Sequence, residues 1–175
     1  MTKVNSALMN DGGVLEYLPQ KLKNTKQIVL NAVATDGGAI QYAGKALKSN
    51  KTVACVAICQ SRYDIMEHLA PKLQNDRNVA MMAIDSGLTC LRYLSRHLRK
   101  CKAVVRAAVD KSGQELEYAD LSLKKDKEIV LIACEDAGYS LAYADESLRS
   151  NEAIILAAVS QYGPSLQYAS VAMRR

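Results

Sequence analysis

The sequence predicts an all-α fold built from about seven tandem helix-turn-helix repeats of about 25 residues, stacked as a compact α-solenoid or helical superbundle. Three observations carry this. Alanines recur at Ala7, Ala32, Ala57, Ala83, Ala108, Ala133 and Ala158, 25 residues apart except for one step of 26. A large aliphatic follows each, at Leu15, Ile40, Met66, Leu91, Leu116, Leu141 and Leu166. Two residues further on stands a ring, at Tyr17, Tyr42, His68, Tyr93, Tyr118, Tyr143 and Tyr168. A fourth column closes each unit with Leu22, Leu47, Leu73, Leu98, Leu123, Leu148 or Met173. The units fall at approximately 1–24, 25–50, 51–76, 77–100, 101–125, 126–150 and 151–175. No linker or low-complexity stretch separates them, so a single domain is expected. One such unit is too small to bury its apolar face alone, and stacking on neighbours solves that problem.

Within a unit the first element is a helix, such as KEIVLIACEDA at 127–137. Thr25, Asn50, Asp76, Asp126 and Asn151 precede these apolar stretches, and their side-chain oxygens suit orphan backbone N–H groups at a helix start. The run Ile154–Val159 (IILAAV) implies burial on most sides, an inner layer of the stack. Gly12, Gly37, Gly113, Gly138 and Gly163 follow, and a left-handed residue closing the first helix is the expected role. The second helix then runs through LEYADLSLKK at 116–125, with Leu116, Ala119 and Leu123 on one face. Lys48, Lys124, Lys125 and Arg149 gather at its end, where the helix dipole favours cations. A β reading of the apolar runs leaves the caps, the glycines and the second half of each unit unexplained.

Composition narrows the function classes. The 175 residues hold nine Tyr but no Phe or Trp, so the core is aliphatic, with small residues that let helices approach closely. No apolar run is long enough to cross a membrane, and the opening MTKVNSALMNDGG lacks the apolar segment of a secretory leader. Five Cys, an odd number without framework spacing, predict free thiols in a reducing, cytoplasmic compartment. A net charge of +5 permits an acidic partner without demanding nucleic acid.

The pattern IVLxAVxxxGxxLxYAxxxL resembles a family of helical repeats catalogued as a domain of unknown function. The matching stretches are 26–47, 103–123, 127–148 and 152–173. The family is common in secreted effectors of bacteria that live inside eukaryotic cells, and in protists. The resemblance therefore implies an interaction or regulatory role, effector or inhibitor, in a host cytosol, with no shared catalytic motif.

Residues 59–75 depart from the pattern. Tyr63 takes the glycine position, His68 the tyrosine position, one residue is inserted, and Pro71 follows. The next unit shifts its glycine to Gly87 and loses its cap, with Lys100 and Cys101 where Asp126 and Lys127 stand later.

No catalytic grouping emerges: a nucleophile needs an adjacent base and an orienting group, and the two His occupy a packing column (His68) and a surface column (His97). Cys55 and Cys59 lie one helical turn apart near His68, but zinc takes four ligands with recognisable short spacings, so no metal or cofactor is expected. Cys55 and Cys134 replace aliphatics of other units. The glycine pairs lack the strand and the Lys-Ser/Thr of a phosphate loop. The tyrosine column is expected to pack between units with its hydroxyls at the surface, rather than to form an exposed aromatic ladder. The strongest candidate surface is basic. No acid occurs from Ser86 to Val109, while Arg92, Arg96, His97, Arg99, Lys100, Lys102 and Arg106 do, and Arg92, Arg96 and Arg99 fall on one face of the expected second helix. With Tyr63 and His68 these are the candidate partner-binding residues. They predict a protein with an acidic surface as partner; the alternatives are a solvated face, or RNA read by a helical repeat.

Overall fold

The computed structural model describes residues 2–61 and 63–175. They are helical, without a strand among them. Seven longer helices recur at the expected spacing: Thr2–Asn10, Lys26–Thr35, Lys51–Gln60, Arg77–Asp85, Lys102–Lys111, Lys127–Asp136 and Glu152–Gln161. Each opens one repeat, numbered 1 to 7 below. The chain divides into two compact blocks, Met1–Tyr93 and Leu94–Arg175, and successive repeats stack within each.

The caps behave as their chemistry requires. Asn50, Asp76, Asp126 and Asn151 accept N–H groups of the first helical turn. Thr25 does not; its hydroxyl donates instead to the Lys21 carbonyl.

The second half of each repeat differs from the expected α-helix. It opens with a 3₁₀ helix, six residues long where the glycine is kept (Gly12–Tyr17, Gly37–Tyr42, Gly113–Tyr118, Gly138–Tyr143, Gly163–Tyr168) and shorter at Met66–His68 and Leu91–Tyr93. At three residues per turn, positions i and i+3 eclipse. Gly113, Leu116 and Ala119 therefore line one edge, and all three are buried. The chain turns extended at Ala119 (φ −63°, ψ 151°), as at Ala43, Ala144 and Ala169. The following N–H then bonds back to the previous repeat: Gly44 to the Lys23 carbonyl, Asp120 to that of Arg99, Asp145 to that of Lys124. A single short helical turn closes the unit, as at Arg96–Arg99.

The glycines also act differently from expectation. Only Gly87 has a positive φ, 81°, among the described residues. There the Leu88 N–H bonds the Ala83 carbonyl and the Gly87 N–H that of Ile84, the Schellman ending. The first helices of repeats 1, 2, 5, 6 and 7 end instead in an extended residue, such as Asp36 or Ser112. Their glycines answer a packing need. A Cβ on Gly12, Gly37, Gly113 or Gly138 would overlap the carbonyl oxygen of Ala32, Ala57, Ala133 or Ala158, the alanine column of the next repeat. Glycine and alanine columns are thus two sides of one close approach between successive repeats. Ser140 reinforces it by donating to the Gly113 carbonyl at 2.9 Å.

The core follows from these contacts. Ile28, Val29, Ala32 and Val33 are buried in repeat 2, as are Ile129, Val130, Ala133 and Cys134 in repeat 6. Burial is less complete round the first helices than the IILAAV run suggested. Leu156, within that run, is largely exposed.

Candidate functional site

The basic residues do not lie on one continuous helix. Arg92 belongs to the 3₁₀ helix Leu91–Tyr93, the chain is extended at Ser95, and Arg96, His97 and Arg99 lie on the turn Arg96–Arg99. The i, i+4, i+7 face read from the sequence therefore does not form. Arg92 places its guanidinium 4.5 Å from the centre of the Tyr93 ring. Arg99 is half-buried, and its Nε has no hydrogen-bond partner.

Other repeats also place a long polar side chain at the position of Arg99. The same position is Lys23, Gln74, Lys124 and Arg149 in other units. Lys23 Nζ donates to the Glu16 carbonyl at 2.7 Å, Lys124 Nζ to that of Glu117 at 2.6 Å, and Gln74 to that of Met66 at 2.9 Å. Arg149 donates to the carbonyls of Ala142 and Ala144. These four side chains fold back over their own 3₁₀ helices and satisfy carbonyls where the helices end. Burial holds Lys48 and Lys124, in the same column, below the usual lysine range.

The acid-free stretch also gains acids from the following repeat. Lys102 Nζ lies 2.7 Å from Asp126 and 2.9 Å from Glu128, and Arg106 Nε 3.2 Å from Glu128. These carboxylates raise Lys102 above its ordinary range. Lys102 in turn, with the Ile129 and Glu128 N–H groups, lowers Asp126. Arg96 and Lys100 each reach within 3.9 Å of Asp120. Asp120 is lowered chiefly by the Ser122 N–H and hydroxyl, and by the two cations beside it. Lys51 likewise meets Asp76, one repeat on, at 2.7 Å. A run of one sign in the sequence thus becomes a mixed surface, with Arg92, Arg96, His97 and Lys100 the more lightly paired members.

Small clefts open where the closing turn of one repeat meets the extended segment of the next. One is lined by Arg96, Arg99, Tyr118, Ala119, Asp120 and Leu121. Its counterpart in repeats 2 and 3 is lined by Lys45, Lys48, His68, Leu69, Ala70 and Pro71. A third lies between Glu146, Arg149 and Tyr168–Val171. Each cleft sets at least one basic side chain beside a ring of the tyrosine column. Leu121 and Val171 stand exposed at two of them, so apolar surface lies next to the charge. His68, half-buried and 3.8 Å from Glu67, thus shares a cleft with two lysines.

Three members of the tyrosine column, Tyr42, Tyr93 and Tyr143, set their hydroxyls on acids of the preceding repeat. The Tyr93 hydroxyl donates to Glu67 at 3.4 Å. Tyr42 and Tyr143 meet Glu16 and Glu117, which helps to hold their hydroxyls above the usual range; for Tyr143 burial is the larger cause. Tyr63 stands apart from the clefts. Its hydroxyl lies against Gly38, where a Cβ would collide with it, and it bonds Asp36. Asp64 beside it was not legible as a site residue. Burial pushes its carboxyl up to about 6, against the Met66 N–H and nearby Arg92.

The thiols stay dispersed. Cys90 and Cys134 are buried, Cys59 exposed. Burial raises Cys55 and pushes Cys134 up to about 12, far from the thiolate a nucleophile needs. Among the described residues no three His, Cys, Asp or Glu side chains converge as metal ligands. No described helix is long and apolar enough to cross a membrane.

The model of a family described as a domain of unknown function, DUF4116, matches residues 4–48, 101–149 and 136–174. The unmatched stretch, 49–100, contains the irregular third and fourth repeats. No curated protein and no solved structure matches the chain. With more than half of its residues matched, the chain belongs to the DUF4116 family.

Proposed function

We propose that this chain is a non-enzymatic protein-binding scaffold, and that an acidic, partly apolar segment of another protein binds at the clefts beside its closing turns. The observation that carries this reading is the cleft of Arg96, Arg99, Tyr118 and Leu121, together with its counterparts in other repeats. Each combines a cation, an amphipathic ring and an apolar side chain, the residue types that anchor protein interfaces. Within the second block the cleft occurs twice, which suits an extended partner that makes the same kind of contact more than once. Lys102 and Arg106 contribute less, because Asp126 and Glu128 already occupy them.

The same pairing speaks against a phosphate backbone as the ligand, since a nucleic-acid surface needs cations free to replace counterions. An effector or inhibitor role in a host cytosol is the setting that the family resemblance suggests.

The test is capture from lysate with mass spectrometry, comparing the native chain with an Arg92→Glu/Arg96→Glu/Lys100→Glu variant. Arg99 is left intact because it is half-buried. The partner should be lost from the triple variant and kept by Lys102→Glu, with both variants folded by circular dichroism. Retention by the triple variant removes this surface. Salt-dependent binding of a generic RNA oligonucleotide, read by anisotropy, would replace the protein reading by the nucleic-acid one.

A further inference from the structure

A further cleft of the second block, ≈ 650 Å³ in volume, opens where the first helices of repeats 5, 6 and 7 end. Ser112, Gln114, Asp136, Tyr139, Gln161 and Tyr162 line it, and no residue of a closing turn does. Asp136 is the one charged side chain of this lining. Its Oδ2 accepts the Gly113 N–H at 2.7 Å, while its Oδ1 takes no hydrogen bond among the described residues. Burial, with Asp136 nearby, holds the Tyr139 hydroxyl above the usual tyrosine range.

The first block shows why a space remains here. Tyr63 follows Ala57 at the same interval as Tyr139 follows Ala133. The Tyr63 hydroxyl lies on Gly38 and bonds Asp36, so ring and carboxylate satisfy each other. In the second block Gln114 stands at the position of Gly38, and Ser112 at that of Asp36. Tyr139 has no glycine to lie on, and the acid of this cleft comes instead from Asp136.

We infer that this cleft binds the guanidinium of an arginine side chain presented by another protein. The lining selects that group. A carboxylate oxygen without a partner, and no cation beside it, favours a positive ligand over an anion. Two tyrosine rings share the space, and a flat cation stacks on such rings. Ser112, Gln114 and Gln161 add neutral oxygens that accept N–H groups. A guanidinium brings five donors in a rigid fork, where a quaternary ammonium brings none and leaves those oxygens unpaired. The site is independent of the clefts beside the closing turns, and its ligand carries the opposite charge.

The blocked peptide acetyl-Gly-Arg-Gly-amide, titrated into the isotope-labelled full chain and followed by NMR, tests this. It should bind with a Kd of about 1 mM, the scale of one stacked and hydrogen-bonded cation, and shift the amides of Gly113, Asp136, Tyr139 and Tyr162. The citrulline peptide, its neutral isostere, should not bind. Free arginine, whose own carboxylate approaches Asp136, should bind more weakly than the peptide. Asp136→Asn keeps an oxygen for the Gly113 N–H and should weaken binding about tenfold. Tyr162→Leu keeps an apolar side chain and should weaken it about threefold. Both variants should retain the native unfolding midpoint. Resonances that stay in place up to about 10 mM peptide overturn the proposal. So do equal binding of the citrulline peptide, tighter binding of tetramethylammonium or of free arginine, or unchanged affinity in the folded Tyr162→Leu variant.

Discussion

Asp64 is the residue whose environment most resists its chemistry. One oxygen accepts the Met66 N–H at 2.9 Å, while the other is buried without a hydrogen bond. Its folded pKa, raised to about 6 from 3.8, means that the native state holds this proton more tightly than the unfolded chain. The ionised carboxylate therefore destabilises the fold above pH 6, and stability rises as the pH falls through 6 toward 4. Asp64→Asn keeps the acceptor and removes the charge. It should add about 1 kcal/mol at pH 8, after allowance for solvent screening of a partly exposed group, and flatten the profile between pH 8 and 5. Urea titrations of both proteins across that range check it; an Asn variant less stable than the native chain at pH 8 would contradict it.

Among the elements, the caps separate by what their side chains do. Asp126 accepts two N–H groups and pairs with Lys102, so Asp126→Ala should cost about 1–2 kcal/mol. Thr25 makes no such bond, so Thr25→Ala should cost about 0.5 kcal/mol or less. Equal losses in denaturant midpoint at the two sites would remove the distinction. Four of the five cap side chains named from the sequence work as read, because Asp and Asn before an apolar stretch have few competing uses. The second half of the repeat was legible in spacing but not in type. Leu116, Ala119 and Leu123 fit an α-helix at i, i+3 and i+7. The stricter series Gly113, Leu116, Ala119, at intervals of three, marks the 3₁₀ helix that the chain adopts. Arg99 was legible as a cation but not as a half-buried one, because the carbonyls that its column serves become visible only when the chain folds back.

For the whole molecule, recurrence in the sequence gave the repeat, while charge along the sequence misled about the surface. The acid-free stretch from Ser86 to Val109 meets Asp120, Asp126 and Glu128, because a repeat of 25 residues brings such distant positions side by side. Ala7 and Leu166 are more exposed than Ala32 and Leu141 of the same columns, so amide exchange should be faster in Thr2–Asn10 and Glu152–Gln161 than in Lys26–Thr35 and Lys127–Asp136. Uniform protection along the chain would contradict stacking as the source of stability.

The glycine–alanine approach is the joint between successive repeats, and one set of variants tests it most directly. Gly113→Ala and Gly138→Ala each drive a Cβ into the carbonyl of the next repeat, whereas Gly163→Ala meets nothing. Equilibrium denaturation should show the first two losing about 2–3 kcal/mol, the scale of a forced backbone shift, and the third changing by less than about 0.5 kcal/mol. Three equal losses, or three neutral substitutions, would contradict that joint.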